Sequence, residues 1–213
     1  MPKLKGPRPR EVIVTELEFE QVFRAANSAL QLAMLLARDA ALRRATFWNI
    51  TAANCNFESR MLSGKTKNAA MYLVPMTQRL YERLLFVCAS TTNSAEPLLA
   101  VLNTRRQKPS YGSMTNWLHE TKKRAGVITP WGFHDLRRTA ARAVYDRTHD
   151  LRKVQRLLSH ANMQQSCWYL GASGIDLNPE DLETPCHARP EPQSSPDSDP
   201  QSPPSYEPQQ KIA

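Results

Sequence analysis

The strongest constraint on the fold lies in residues 131–171, where short apolar-periodic segments alternate with brief polar breaks. Leu136, Ala140 and Val144 recur at every fourth position, which is typical of a helix with one buried face. The periodicity predicts three consecutive helices, over residues 134–147, 151–159 and 163–169. Helices this short are stable only when their apolar faces pack against one another and against the rest of a domain.

The same segment carries four side chains suited to binding or attacking a phosphate. His134 and Arg137 lie three positions apart and therefore share one face of the first helix. His160 follows the second helix, and Tyr169 ends the third. An arginine and two histidines can hold a phosphoryl group while a phenol attacks it. The segment therefore indicates chemistry on a phosphate.

The earlier part of the chain predicts a mostly helical, mixed α/β domain with a small antiparallel sheet. Thr15 and Glu18 have the spacing of a capping box before an apolar-periodic run. Residues 60–76 place two apolar stretches around a polar turn at 63–68, which predicts a β-hairpin with Lys65 and Lys67 near its tip. Further helices are predicted over residues 16–27, 29–40, 77–89 and 113–125.

Charge and composition divide the 213 residues into three parts. Residues 1–14 form a basic, proline-containing arm, and residues 15–184 form the predicted domain. Residues 185–213 hold half of the 16 prolines, and we expect this tail to be disordered. The net charge of +8 favours a polyanionic partner such as double-stranded DNA, although a basic surface can also serve solubility alone.

Four cysteines without metal-ligand or disulfide-framework spacing indicate free thiols in a reducing compartment. The chain has no apolar run long enough to span a membrane and no secretory signal. We therefore expect a cytoplasmic, DNA-associated protein. No residue cluster in the sequence predicts a metal site or a cofactor site.

The order and spacing of these residues resemble the catalytic domain of the tyrosine recombinases, the phage integrase family. The resemblance covers residues 15–184. It rests on Arg43 in Ala-Leu-Arg-Arg, Lys65 in Ser-Gly-Lys-Thr-Lys-Asn, the His134-x-x-Arg137 box, and His160 followed nine residues later by Tyr169. Each motif alone occurs by chance in many proteins, whereas the collinear set is specific.

The resemblance implies a role for each residue. Arg43 and Arg137 would clamp the scissile phosphate, and His160 would donate a further hydrogen bond to it. Tyr169 would attack to give a 3′-phosphotyrosine, with His134 assisting the loss of its proton. A hairpin lysine, Lys65 or its neighbour Lys67, would protonate the leaving 5′-oxygen.

Taken singly, these residues also have structural interpretations. Arg43 could complement the C-terminal dipole of the helix before it, and His134 could cap its own helix. Arg137 could pair with Asp135, and Tyr169 could simply bury its ring. Only their combination favours an active site.

Three departures from the family pattern affect these expectations. Thr46 stands where members often carry an acidic residue, which predicts a looser orientation of Arg43. Ser159 replaces a glycine before the second histidine, a change that is tolerable if φ is negative at this position. Only fourteen residues precede the predicted domain, so we expect the family's core-binding domain to be absent and DNA binding to be modest and salt-dependent.

The resemblance implies site-specific DNA recombination, without metal or cofactor, by a homodimer to homotetramer assembled on DNA with accessory DNA-bending proteins. Two alternatives stay open. The chain could be a truncated, non-catalytic DNA-binding remnant of an integrase, or it could relax DNA in the manner of a type IB topoisomerase.

Overall fold

The structure, a computed structural model, describes residues 12–66, 71–103 and 107–170. The predicted tail and most of the predicted N-terminal arm lie outside these residues. Within them the chain forms nine α-helices: α1 (Glu16–Ala25), α2 (Ser28–Arg38), α3 (Arg44–Phe47), α4 (Gln78–Ala89), α5 (Leu98–Val101), α6 (Tyr111–Arg124), α7 (Phe133–Thr148), α8 (Leu151–Leu158) and α9 (Met163–Tyr169). No helix of this described part is long and apolar enough to cross a membrane.

Side-chain caps explain where the helices begin. Thr15 accepts a hydrogen bond from the Glu18 amide while the Glu18 carboxylate accepts one from the Thr15 amide, so the predicted capping box opens α1. Asn27 caps α2 and Thr77 caps α4 in the same way. Each cap satisfies an amide that has no partner inside its helix.

Helix α2 is the centre of the core. Eight of its eleven residues are buried, so it is surrounded by other elements rather than packed on one face. It contacts α1, α3, α4, α5, α6 and α7. The predicted end of this helix at residue 40 is too late, because α2 stops at Arg38. Arg43 therefore precedes α3 instead of following α2, and the dipole explanation for its presence is wrong.

The small sheet is antiparallel, with the order β1 (Cys55–Asn56), β2 (Met61–Lys65) and β3 (Met71–Pro75). The predicted turn at 63–68 starts too early, since β2 pairs with β3 through Lys65 and Met71. Gly64 is paired with Tyr72, and a Cβ on Gly64 would lie 2.8 Å from the Tyr72 hydroxyl. The glycine is therefore required by the close approach of that side chain.

The last three helices pack around a second, smaller apolar cluster. Ala141 of α7 and Val154 and Leu158 of α8 are fully buried there, and Tyr169 of α9 packs against them. Ser159 ends α8 with φ 47° and ψ 49°, so the negative φ at which a serine would be tolerable here is not adopted. A non-glycine residue in this left-handed conformation is strained, and it turns the chain sharply just before His160.

Candidate active site

The N-terminus of α7 places His134 and Arg137 on neighbouring turns. The helix begins after Gly132, whose amide donates a 2.8 Å hydrogen bond to the Asp135 carboxylate. Asp135 therefore caps the helix, and the capping role considered for His134 is wrong. Phe133 and Leu136 are buried, whereas the His134 side chain is only partly buried at the helix start.

Arg137 joins three distant segments of the chain. Its side chain is buried, and its guanidinium donates one hydrogen bond to the Ala41 carbonyl and another, of 2.6 Å, to the Leu158 carbonyl. Among the described residues it forms no ion pair with Asp135, so that alternative is also wrong. Two of its five N–H groups are used in this way, the guanidinium also hydrogen-bonds the Tyr169 hydroxyl, and the remaining N–H groups are left for a ligand.

Arg43 reaches the same region from the opposite side. Ala41 adopts φ 48°, and this bend ends the segment after α2 and directs Arg43 to the start of α3. Arg43 is exposed and lines a cavity of about 420 Å³ together with His134 and Arg137. The cavity can therefore present two guanidinium groups and one imidazole to a ligand.

His160 is held by its neighbours in the loop between α8 and α9. Its Nδ1 lies 3.1 Å from the hydroxyl of Ser166, which is fully buried. Its backbone amide donates to the Gln155 carbonyl, and the Gln155 side chain donates to the His160 carbonyl. Ser166 was not identified from the sequence, because a serine six residues after a histidine is not a recognisable motif. Its contact leaves Nε2 as the nitrogen free to meet a ligand.

Tyr169 meets both histidines at the end of α9. Its hydroxyl donates a 3.2 Å hydrogen bond to the His134 carbonyl. Its ring lies edge-on to His134 and to His160, with centroids 5.1 and 5.6 Å apart. The Arg137 guanidinium carbon lies 5.9 Å from its ring centroid. Five of the six predicted site residues thus converge, and the ring burial considered for Tyr169 is part of this convergence.

Burial and the crowded arginines shift the ionisation of these groups. Burial lowers the pKa of His160 to about 4, helped by Arg137 and Arg43, and it lowers the pKa of His134 with help from Arg138. Burial raises the pKa of Tyr169, although three arginines oppose this change. Near neutral pH, both imidazoles are uncharged and the phenol keeps its proton.

Lys65 lies apart from the other five residues. It is exposed at the end of β2 and lines a separate cavity of about 460 Å³ with Thr46 and Tyr111. Thr46 of α3 lines this cavity and Arg44 of α3 lines the other one, so this short helix borders both cavities. Lys67, the alternative hairpin lysine, lies outside the described residues.

The family comparison agrees with this geometry. Residues 13–173 match the phage integrase family. The chain belongs to this family. It is 30% identical over 178 residues to the tyrosine recombinase XerA of Pyrococcus horikoshii. The aligned region covers 78% of this chain and 60% of that relative. It is 29% identical over 143 residues to the XerA of Pyrococcus furiosus, covering 65% of this chain and 49% of that protein. The chain thus spans only part of the length of these curated relatives.

Solved structures of integrases share the fold. A crystal structure of XerA recombinase matches with a TM-score of 0.64 at 21% identity, over 85% of this chain and 64% of the other. A lambda integrase dimer bound to a core site matches with a TM-score of 0.61 at 19% identity, over 81% of this chain and 64% of that chain. The predicted fold, a mostly helical catalytic domain with a small antiparallel sheet, is confirmed.

Proposed function

We propose that this chain breaks and rejoins DNA strands at specific sites, as a tyrosine recombinase, through a covalent bond between Tyr169 and a 3′-phosphate. The observation that carries the proposal is the convergence of Tyr169, His134 and His160 beside the buried guanidinium of Arg137. Family membership and the XerA relatives support the same reaction.

Phosphate binding is assigned to the two arginines. The free N–H groups of Arg137 and the exposed guanidinium of Arg43 would bind the non-bridging oxygens from two sides of one cavity. Because Arg137 is already held by two carbonyls, its orientation is fixed before the ligand arrives. Nε2 of His160 would add a third donor, which requires the ring to keep the Nε2 proton while Nδ1 accepts from Ser166.

The chemical step exchanges one phosphoester bond for another. The Tyr169 oxygen forms a bond to phosphorus, the bond to the 5′-oxygen breaks, and the phenolic proton passes to the uncharged imidazole of His134. Lys65 is the proposed donor of the proton that the 5′-oxygen takes up. Rejoining reverses the step when a 5′-hydroxyl of another strand attacks the phosphotyrosine. For Tyr169 to attack, its hydroxyl must first leave the His134 carbonyl.

A covalent-adduct experiment tests the proposal. Since the target sequence is not specified by the residues, the probe is a pool of randomised duplexes, each nicked so that the cut strand loses its short 5′-hydroxyl fragment and cannot rejoin. We expect protein–DNA adducts that survive denaturing electrophoresis, and Tyr169→Phe should abolish them. Tyr145→Phe is the matched control, since Tyr145 is half-buried on α7 and its ring contacts the His149 ring edge-on. Adducts that persist in Tyr169→Phe contradict the proposal, and so does their absence from the unaltered chain.

The role of Lys65 is tested by changing the leaving group. Lys65→Ala should lower the adduct yield on ordinary DNA, because the 5′-oxygen then lacks its proton donor. A substrate with sulfur in place of the bridging 5′-oxygen leaves without protonation and should restore the yield. If sulfur does not restore it, Lys65 acts in some other way.

The proposed partners are duplex DNA and further copies of the chain. The net charge of +8 and the three arginines near Tyr169 support binding to a polyanion. Sedimentation with a duplex carrying two sites recovered from the adduct pool should give complexes of two to four protomers. The proposed catalytic unit is residues 15–184. Accessory DNA-bending proteins are further proposed partners, and the proposed location is the cytoplasm.

A further inference from the structure

Arg138 is a largely buried arginine that faces no carboxylate among the described residues. Its exposed fraction is 8%, and its Nε has no hydrogen-bond partner among the described residues. No carboxylate of the described part of the chain lies within ion-pair distance of it. Burying an uncompensated charge is costly. Such a group is therefore expected where a negative charge is present during function.

The aromatic ring of Tyr169 lies directly against this cation. The Arg138 guanidinium carbon is 5.2 Å from the ring centroid, nearer than the 5.9 Å of Arg137. A guanidinium at this distance attracts the π face of a neutral phenol, and it attracts the phenolate more strongly. The interaction therefore grows as Tyr169 loses its proton.

We propose that Arg138 is a positioning residue for Tyr169, which holds the ring in the site and stabilises the negative charge that develops on its oxygen. This inference rests on the proposed function and adds to it a residue with no part in the phosphate clamp. No sequence motif singled Arg138 out, because an arginine beside Arg137 on a helix is equally suited to a solvated surface.

The other charged groups around Tyr169 do not replace Arg138. On α7 Arg137 also acts on Tyr169 and hydrogen-bonds its hydroxyl, but the Arg137 guanidinium is shared with the Ala41 and Leu158 carbonyls and the phosphate. Arg43 approaches from the start of α3 but is exposed to solvent. The two histidines beside the ring are uncharged near neutral pH. Arg138 is thus the buried cation that the clamp leaves unused.

The first test follows the ionisation of Tyr169 without any reaction. The full chain is labelled with 3-fluorotyrosine, and the Tyr169 fluorine resonance is identified by its absence in Tyr169→Phe. We expect Arg138→Gln to raise the midpoint of its titration by about one pH unit. Arg138→Lys, which keeps the charge, should restore at least half of that shift. Arg142→Gln is the matched control, because Arg142 lies one turn further on the same helix, is exposed, and pairs with Asp146.

The second test measures DNA cleavage as a function of pH. Arg138→Gln should lower kcat at pH 7 about tenfold and move the rising limb of the profile upward, with KM for DNA unchanged within about twofold. A purely structural or DNA-binding role would change KM or the melting temperature instead. If Arg138→Gln misfolds, Arg138→Met, which keeps the apolar stem, takes its place.

The two tests separate the possible failures. A titration midpoint that moves no more in Arg138→Gln than in Arg142→Gln overturns the inference, whatever the chain does to DNA. Failure of the unaltered chain to form the covalent adduct would instead overturn the proposed function, and the titration result would still hold.

Discussion

Alanine substitutions at Arg137 and Arg43 should have the same effect on activity but different effects on stability. Both would bind the phosphate, so alanine at either position should remove adduct formation. Only Arg137 is buried, and it satisfies the carbonyls of Ala41 and Leu158. Leaving a buried hydrogen-bonding group without its partner costs about 1–3 kcal/mol. With two carbonyls affected, we expect Arg137→Ala to lower the free energy of unfolding by about 2–6 kcal/mol.

Arg43→Ala provides the comparison for this prediction. Its side chain is exposed, and the structure describes no hydrogen bond from it, so its loss should change the free energy of unfolding by less than about 0.5 kcal/mol. Urea denaturation followed by circular dichroism measures both variants, with the slope m checked for constancy. An Arg137→Ala protein as stable as the unaltered chain would refute the assignment of its two carbonyl bonds as structural. A large destabilisation in Arg43→Ala would refute the matching statement for Arg43.

Two further predictions concern the turn between α8 and α9. Ser159→Gly should raise the free energy of unfolding by about 1 kcal/mol, since glycine adopts φ 47° without steric cost, and a lower melting temperature would contradict this. His160 has a pKa of about 4 in the folded chain against 6.5 as a free side chain. Its contribution to the free energy of unfolding should therefore be fully present above pH 6.5 and be lost as the pH falls toward 4. His160→Gln should flatten this part of the profile in pH-dependent thermal melts, and an unchanged slope would show that other groups cause it.

The helices and the residues of the site could be predicted because local patterns encode them. Apolar periodicity and a capping side chain such as Thr15 identified the long helices to within a few residues. The spacing from His134 to Arg137, and from His160 to Tyr169, follows from the lengths of the helices that carry them.

Other features depend on contacts between distant segments and have no local pattern. The sign of φ at Ser159 is set by how α8 must turn to bring His160 under Tyr169, not by the serine itself. The hydrogen bond between Ser166 and His160 and the burial of Arg138 appear only when α7, α8 and α9 pack together. Similarly, no sequence motif indicates that α3 lies between the cavity of Lys65 and that of Arg43.

The hydrogen bonds of Arg137 have a consequence for how the chain folds after synthesis. Arg137 is 96 residues from Ala41 and 21 from Leu158, so its orientation exists only after both ends of the domain have docked. During synthesis, Tyr169 would be the last of the site residues to leave the ribosome. The phosphate clamp would form only when the domain has completed its folding. Partly unfolded molecules would lose the clamp in the same way. The proposed strand cleavage would therefore be restricted to fully native molecules.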